Sequence, residues 1–135
     1  MRVPTSPPRC LEDRTFSFAC DIVRFCRALS GRPGIHRHVA YQLLRSGTSV
    51  GANVEEAKAA FTRREFACKY SLVLRECRET VYWLRLIATT GLSDEPTLTA
   101  LLAEASELVA IFTAATRKAR VPRDGGPSPV AASKP

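Results

Sequence analysis

The sequence predicts an all-α fold, an antiparallel up-down-up-down four-helix bundle in a single domain. Three observations predict it. Four stretches repeat apolar residues at the helical step of about 100° per residue. Glycine and proline punctuate the first and third junctions and a threonine cap marks the second, and all three connections are short, which makes sequential helices antiparallel neighbours. No stretch shows the alternation of a half-buried strand.

Residues 1–12 are Pro-rich and aperiodic and are expected to form a disordered leader. The bundle is expected over residues 13–120, with helices at about 14–30, 36–60, 62–90 and 94–120. In the first helix, Asp13 or Thr15 is available as a cap. Phe18, Ala19, Ile22, Val23, Cys26 and Leu29 form its apolar stripe, and Gly31-Arg32-Pro33-Gly34 stops it. On the second, Val39, Leu43, Val50, Val54 and Ala57 fall together, with Gly47 beside them. Gly47 and Gly51 would each cost about 1 kcal/mol against alanine in a helix interior, and close approach of another helix is the expected compensation. The third opens at Thr62, with Glu65 at the capping-box offset, and closes at Gly91 in a left-handed cap. Ser93-Asp94-Glu95-Pro96 is expected to open the fourth, with acid in its first turn. Leu98, Leu101, Leu102, Ala105, Leu108, Val109 and Phe112 form its stripe, and Arg117, Lys118 and Arg120 suit its C-terminal dipole. The tail, residues 121–135, carries four prolines and two glycines and is expected to be disordered.

The third helix has more apolar surface than one bundle needs. Phe66, Tyr70, Val73, Leu74, Cys77, Val81, Leu84 and Ala88 define its expected core face. Leu72, Trp83 and Leu86 cluster elsewhere, near Glu76 and Glu79. A second stripe holding the only tryptophan points to a subunit interface made by these five residues. The alternative is that Trp83 caps the bundle end with its indole N–H in water. The remaining face carries Arg64, Ser71, Arg75, Arg78, Tyr82 and Arg85. Four arginines with an aromatic between them suit phosphate contact plus base stacking. The alternative is a solvated face steadied by weak pairs four residues apart, such as Arg75 with Glu79.

A polar stripe runs along the second helix: Gln42, Arg45, Ser49, Asn53 and Glu56. Such a ladder can bond along its own helix or cross to Glu76 or Glu79, arginine to carboxylate being the strong pairing. Catalysis would need a nucleophile with its base, or clustered metal ligands. Ser49 has no histidine at helical spacing, and the adjacent Glu55 and Glu56 point apart. No catalytic residue, metal, cofactor or small-molecule substrate is expected.

The formal charge of +7 and pI near 9.6 favour polyanion contact, with a merely basic protein as the bland reading. Arg24, Arg27, Arg32 and Arg37 add a basic segment, whereas Asp94, Glu95, Glu104 and Glu107 concentrate acid on the fourth helix. In a ring that asymmetry would give one basic and one acidic surface. Five cysteines, an odd number without C-x-x-C spacing, fit a reducing cytoplasm. No apolar run is read as approaching the ~18 residues of a membrane span. The N-terminus, with Pro4, Pro7, Pro8 and Glu12, lacks a secretory h-region.

The run Gln42-Leu43-Leu44-Arg45-Ser46-Gly47-Thr48-Ser49-Val50-Gly51-Ala52-Asn53-Val54-Glu55-Glu56-Ala57 resembles the signature of the bacterial 23S rRNA intervening-sequence proteins. Arg64-Glu65-Phe66 and Leu74-Arg75-Glu76-Cys77-Arg78-Glu79-Thr80-Val81-Tyr82-Trp83-Leu84 are similar to that family's third helix. The resemblance spans roughly residues 13–118; where the signature usually ends in Glu-Gly, this chain has Glu56-Ala57. It implies an antiparallel bundle assembled as a homopentameric ring, and it carries over no catalytic residues. The fold is also similar to the accessory protein of diversity-generating retroelements, a basic pentamer that binds nucleic acid and the reverse transcriptase. Ser49 and Asn53 match the intervening-sequence type better. The expected function is therefore a non-enzymatic, oligomeric nucleic-acid-binding protein using Arg64, Arg75, Arg78, Tyr82 and Arg85 on RNA or DNA. A protein-interaction scaffold, serving as accessory subunit to a nucleic-acid enzyme, is the alternative.

Overall fold

The computed structural model describes residues 10–120, which form four α-helices. They are α1 (Leu11–Leu29), α2 (Ile35–Lys58), α3 (Arg63–Thr90) and α4 (Thr97–Arg120). No strand occurs among the described residues. Of the leader expected at residues 1–12, residues 1–9 lie outside the described residues, as does the tail at 121–135.

Two helix starts differ from the sequence expectation. Helix α1 begins at Leu11, and neither Asp13 nor Thr15 caps it; Cys10 precedes it without a side-chain cap bond. Leu11 packs against the core, which draws the helix back into the expected leader. Thr15 is fully buried and donates to its own helix at Leu11 O, 2.8 Å. Its hydroxyl is thereby satisfied inside an apolar seam. At the other end, α4 starts at Thr97, so Asp94 and Glu95 stand before its first turn. Glu95 precedes Pro96, and the proline ring disfavours helical backbone at the residue before it. The Glu95 N–H donates to Ser93 Oγ at 3.1 Å, and the Glu95 carbonyl accepts from Leu98 at 3.0 Å.

Helix α3 is closed at both ends by local chemistry. Thr62 Oγ1 accepts from the Glu65 N–H at 3.0 Å, and Glu65 Oε1 accepts from the Phe61 N–H at 2.9 Å. These bonds satisfy amides that the helix start leaves without partners. Gly91 ends the helix at φ 73°, where a Cβ would be strained.

Helix α2 packs on α1 and α3, α3 packs on α4, and α1 touches α4 only lightly. Contacts pair residues in reverse order along α1 and α2 and along α2 and α3, and α3 meets α4 at Tyr70. Gly51 and Gly47 face Thr15 and Ile22; Arg45 and Glu56 face Glu79 and Lys69; Tyr70 faces Phe112 and Thr116. Ile22, Leu43, Val50, Val73, Leu84, Ile87, Leu108 and Phe112 form the centre of the core.

The glycines of α2 sit where α1 comes closest. A Cβ on Gly47 would stand 2.9 Å from Ile22 Cγ2, and one on Gly51 would stand 3.3 Å from the Thr15 carbonyl oxygen. Two core faces are rotated from those expected. On α1, Phe25 is buried and Val23 is exposed. On α3, Val73, Cys77, Thr80, Leu84 and Ile87 are buried, while Leu74 and Val81 are half-buried and Ala88 is exposed. That turns the core face by roughly 45°, at 100° per residue, toward Trp83. Trp83 and Leu86 consequently pack partly against the core. Thr80 can occupy the interior because its hydroxyl is bonded there.

Helix α4 is long and apolar enough to cross a membrane by length and composition, which corrects the expectation that no such run exists. In this fold its Leu98, Leu101, Ala105, Leu108 and Phe112 are buried in the core.

Candidate nucleic-acid interface

A 28-residue helix touching two neighbours leaves part of its circumference in solvent, and on α3 that part is basic. Arg64, Arg75, Arg78 and Arg85 are exposed, and Tyr82 between them is 54% exposed. Helical spacing places all five within about 60° of one line. Among the described residues none of the four arginines has an ion-pair partner within 4.0 Å. Glu79, the carboxylate expected to pair with Arg75, is taken by Arg45 of α2. The Tyr82 ring meets Trp83 edge-on, with centroids 5.0 Å apart, which braces an otherwise exposed aromatic.

The flank of α3 that faces α2 is acidic and held in place. Arg45 donates to Glu79 Oε2 and stands 3.7 Å from Glu76 Oε1. That second contact is ionic only, and Glu76 Oε1 is buried without a hydrogen-bond partner. Glu79 Oε2 also accepts from the Trp83 indole N–H at 3.0 Å, so the indole bonds to the chain itself and not to water. Trp83 and Leu86 are half-buried, as are Leu72, Glu76 and Glu79.

The polar stripe of α2 bonds both along its helix and across to α3. Ser49 Oγ donates to the Arg45 carbonyl at 2.7 Å, and Asn53 Nδ2 donates to the Ser49 carbonyl at 3.0 Å. One turn on, Lys69 Nζ donates to Glu56 Oε1 at 2.6 Å, and this bond raises the pKa of the lysine. Gln42 is half-buried at the start of the stripe.

Three features escaped the sequence reading. Thr80 Oγ1 lies 2.7 Å from the Glu76 carbonyl and 3.0 Å from Ser46 Oγ, a hydroxyl pair inside the α2–α3 seam. Arg14 of α1 grips Glu104 through two bonds of 2.7 and 2.9 Å and also donates to Glu107. These bonds to both carboxylates raise its pKa. The acid of α4 is therefore occupied within the chain, and the expected acidic surface shrinks accordingly. Of the basic segment, Arg24 pairs with Asp21 at 3.0 Å. The third feature is a groove at one end of the bundle, lined by Phe61, Phe66 and Tyr70.

All five cysteines are free. Burial pushes the Cys26 and Cys77 thiols up to about 12, which keeps them protonated and unreactive near neutral pH. Among the described residues no three histidine, cysteine, aspartate or glutamate side chains come together as metal ligands.

Comparison with known proteins adds two findings. The family model for "23S rRNA-intervening sequence protein" matches residues 12–114. A crystal structure from Bacteroides thetaiotaomicron VPI-5482, of a protein with unknown function from the S23 ribosomal protein family, is similar in fold. It has a TM-score of 0.72 and 29% sequence identity, over 80% of this chain and 99% of that one. A search of curated proteins returned no match.

Proposed function

This chain belongs to the 23S rRNA-intervening sequence protein family, and from that premise we propose that it is a non-enzymatic, oligomeric protein that binds RNA or DNA through the arginine face of α3. The observation that carries the reading is the line of Arg64, Arg75, Arg78 and Arg85, exposed and without ion-pair partners among the described residues. A row of unpaired cations costs self-repulsion, which a polyanion relieves. Tyr82 supplies a stacking surface in the same row. Binding of this kind draws on counterion release and falls steeply with salt. Titrating labelled RNA and DNA from about 50 to about 200 mM salt tests it. Binding at the low end that collapses at the high end supports the reading, and no binding at the low end rejects it.

Assembly belongs to the same proposal. The reverse-order contacts support an up-down-up-down bundle. Resemblance to the family supports a homopentameric ring, working in a reducing cytoplasm that suits five free thiols. Leu72, Glu76, Glu79, Trp83 and Leu86 would form the subunit interface. The partial burial of Trp83 against its own core leaves less apolar surface for that role than two separate stripes would. Light scattering of Trp83→Ala tests it: a reduced mass supports the interface, and an unchanged oligomer excludes it.

A second reading, a scaffold that binds protein, is favoured by one observation. Phe16, 67% exposed, and Val23 stand one above the other on the outside of α1. Under that reading a partner co-purifies after nuclease treatment and is lost in Phe16→Asp.

A further inference from the structure

The end groove lies beside the start of the arginine row. It has a volume of about 830 Å³ and is lined mainly by Phe61, Arg63, Phe66, Tyr70 and Lys118, with alanines between. Phe61 is 96% exposed, the most exposed of the large apolar side chains among the described residues. Its ring is in solvent while its main chain is fixed, because its N–H donates to Glu65 Oε1. Phe66 and Tyr70 stack with centroids 4.3 Å apart at 32°, and Phe112 holds Tyr70 edge-on at 5.3 Å. The groove thus offers preset aromatic faces, with one cation from α3 and one from α4 at its edge. Two acids stand near the groove: Glu65, occupied by its bond to the Phe61 N–H, and Glu12, beside the lining residue Leu11, whose charge acts on Tyr70; the two cations outnumber the one carboxylate left.

We propose that this groove takes an unpaired base of a single-stranded nucleic acid whose backbone continues along the arginine face; the inference rests on the nucleic-acid reading above. Two features of the groove select this occupant. The first is charge: Arg63 and Lys118 complement phosphates flanking a base, whereas a purely apolar guest would need neither. The second is continuity: Arg63, at the groove, is followed by Arg64, the first cation of the row. From Arg64 to Arg85 the row runs about 32 Å at 1.5 Å per residue, long enough to follow several phosphates. A duplex can lie along the row but cannot deliver a base, because its bases are paired and stacked. Every base has a face to stack, so the site selects for single strands without selecting sequence.

The test is anisotropy of a labelled single strand and of its duplex, at about 50 mM salt, with wild type, Phe61→Ala and Phe61→Trp. The ring is in solvent, so neither substitution disturbs the core. The wild type is expected to prefer the single strand. Phe61→Ala should weaken that binding about five- to a hundredfold, the usual effect of losing one stacking partner. Duplex binding should stay unchanged, and Phe61→Trp should restore the single strand. If Phe61→Ala binds the single strand as wild type does, or weakens both forms alike, the groove proposal is overturned while the arginine reading stands. Wild type that binds neither form overturns both.

Discussion

On one side α2 meets α1 through the absence of side chains, and on the other it meets α3 through paired polar ones. At the first seam, Gly47 and Gly51 let Ile22 and the Thr15 backbone come within contact distance. At the second, Arg45 reaches Glu76 and Glu79, Glu56 reaches Lys69, and Ser46 meets Thr80. The same helix thus carries two kinds of instruction. Shape fixes how near α1 can stand, and a seam of that kind responds to volume. Hydrogen-bond and charge pairing fixes the register of α3, and a seam of that kind responds to the loss of one partner. The α2 residues of both seams, Arg45, Ser46, Gly47, Gly51 and Glu56, fall in the run that resembles the family signature.

The largest effect should come from filling the glycine seam. Gly47→Leu should cost about 2–3 kcal/mol in urea unfolding, because Ile22 is fully buried and has little room to yield. Combined with Ile22→Ala, it should be more stable than the two single changes predict by addition. Strict additivity would show that the approach at Gly47 is not a tight contact.

A smaller loss is expected at the charged seam. Arg45→Ala should cost about 1 kcal/mol and lose part of that cost in high salt, since Arg45 is 41% exposed and its pairings are screened. The residue of the effect that salt does not remove reflects Glu76, whose buried oxygen would lose the one cation within 4.0 Å of it among the described residues. A loss wholly abolished by salt would show that burial of Glu76 contributes nothing.

The smallest effect is expected at the hydroxyl pair. Thr80→Val or Ser46→Ala should each cost about 0.5 kcal/mol, and the double variant should cost less than their sum. If the double variant shows the full sum, the two hydroxyls act separately and the pairing carries no register information.

Much of this architecture could be read from the residues. The Gly47 and Gly51 problem implied a close neighbour, and Thr62, Glu65 and Gly91 marked the ends of α3, because caps and tight approaches are local chemistry. Rotation of the core faces was harder. A helical wheel ranks residues by polarity, so it passed over Thr15 and Thr80, whose hydroxyls are satisfied by carbonyls of their own helices. It took Val23 over Phe25 for the same reason: both are apolar, and only the position of α2 decides between them. Pro96 did carry a local signal against a helix through Glu95, and its restriction of the preceding residue outweighed the favourable dipole. The Arg14 clasp and the end groove were out of reach. Each joins residues from distant parts of the chain, and no spacing rule connects Arg14 with Glu104 or Phe61 with Lys118. The arginine row was legible as a row; that Arg45 would occupy Glu79 and leave Arg75 unpaired was not.

The bond from the Trp83 indole to Glu79 gives the protein an internal optical probe. Glu79 also receives Arg45, so any sliding of α2 against α3 alters the polarity around the single indole. Emission from this one fluorophore should therefore shift in colour when that seam loosens, even while far-ultraviolet dichroism still shows four intact helices.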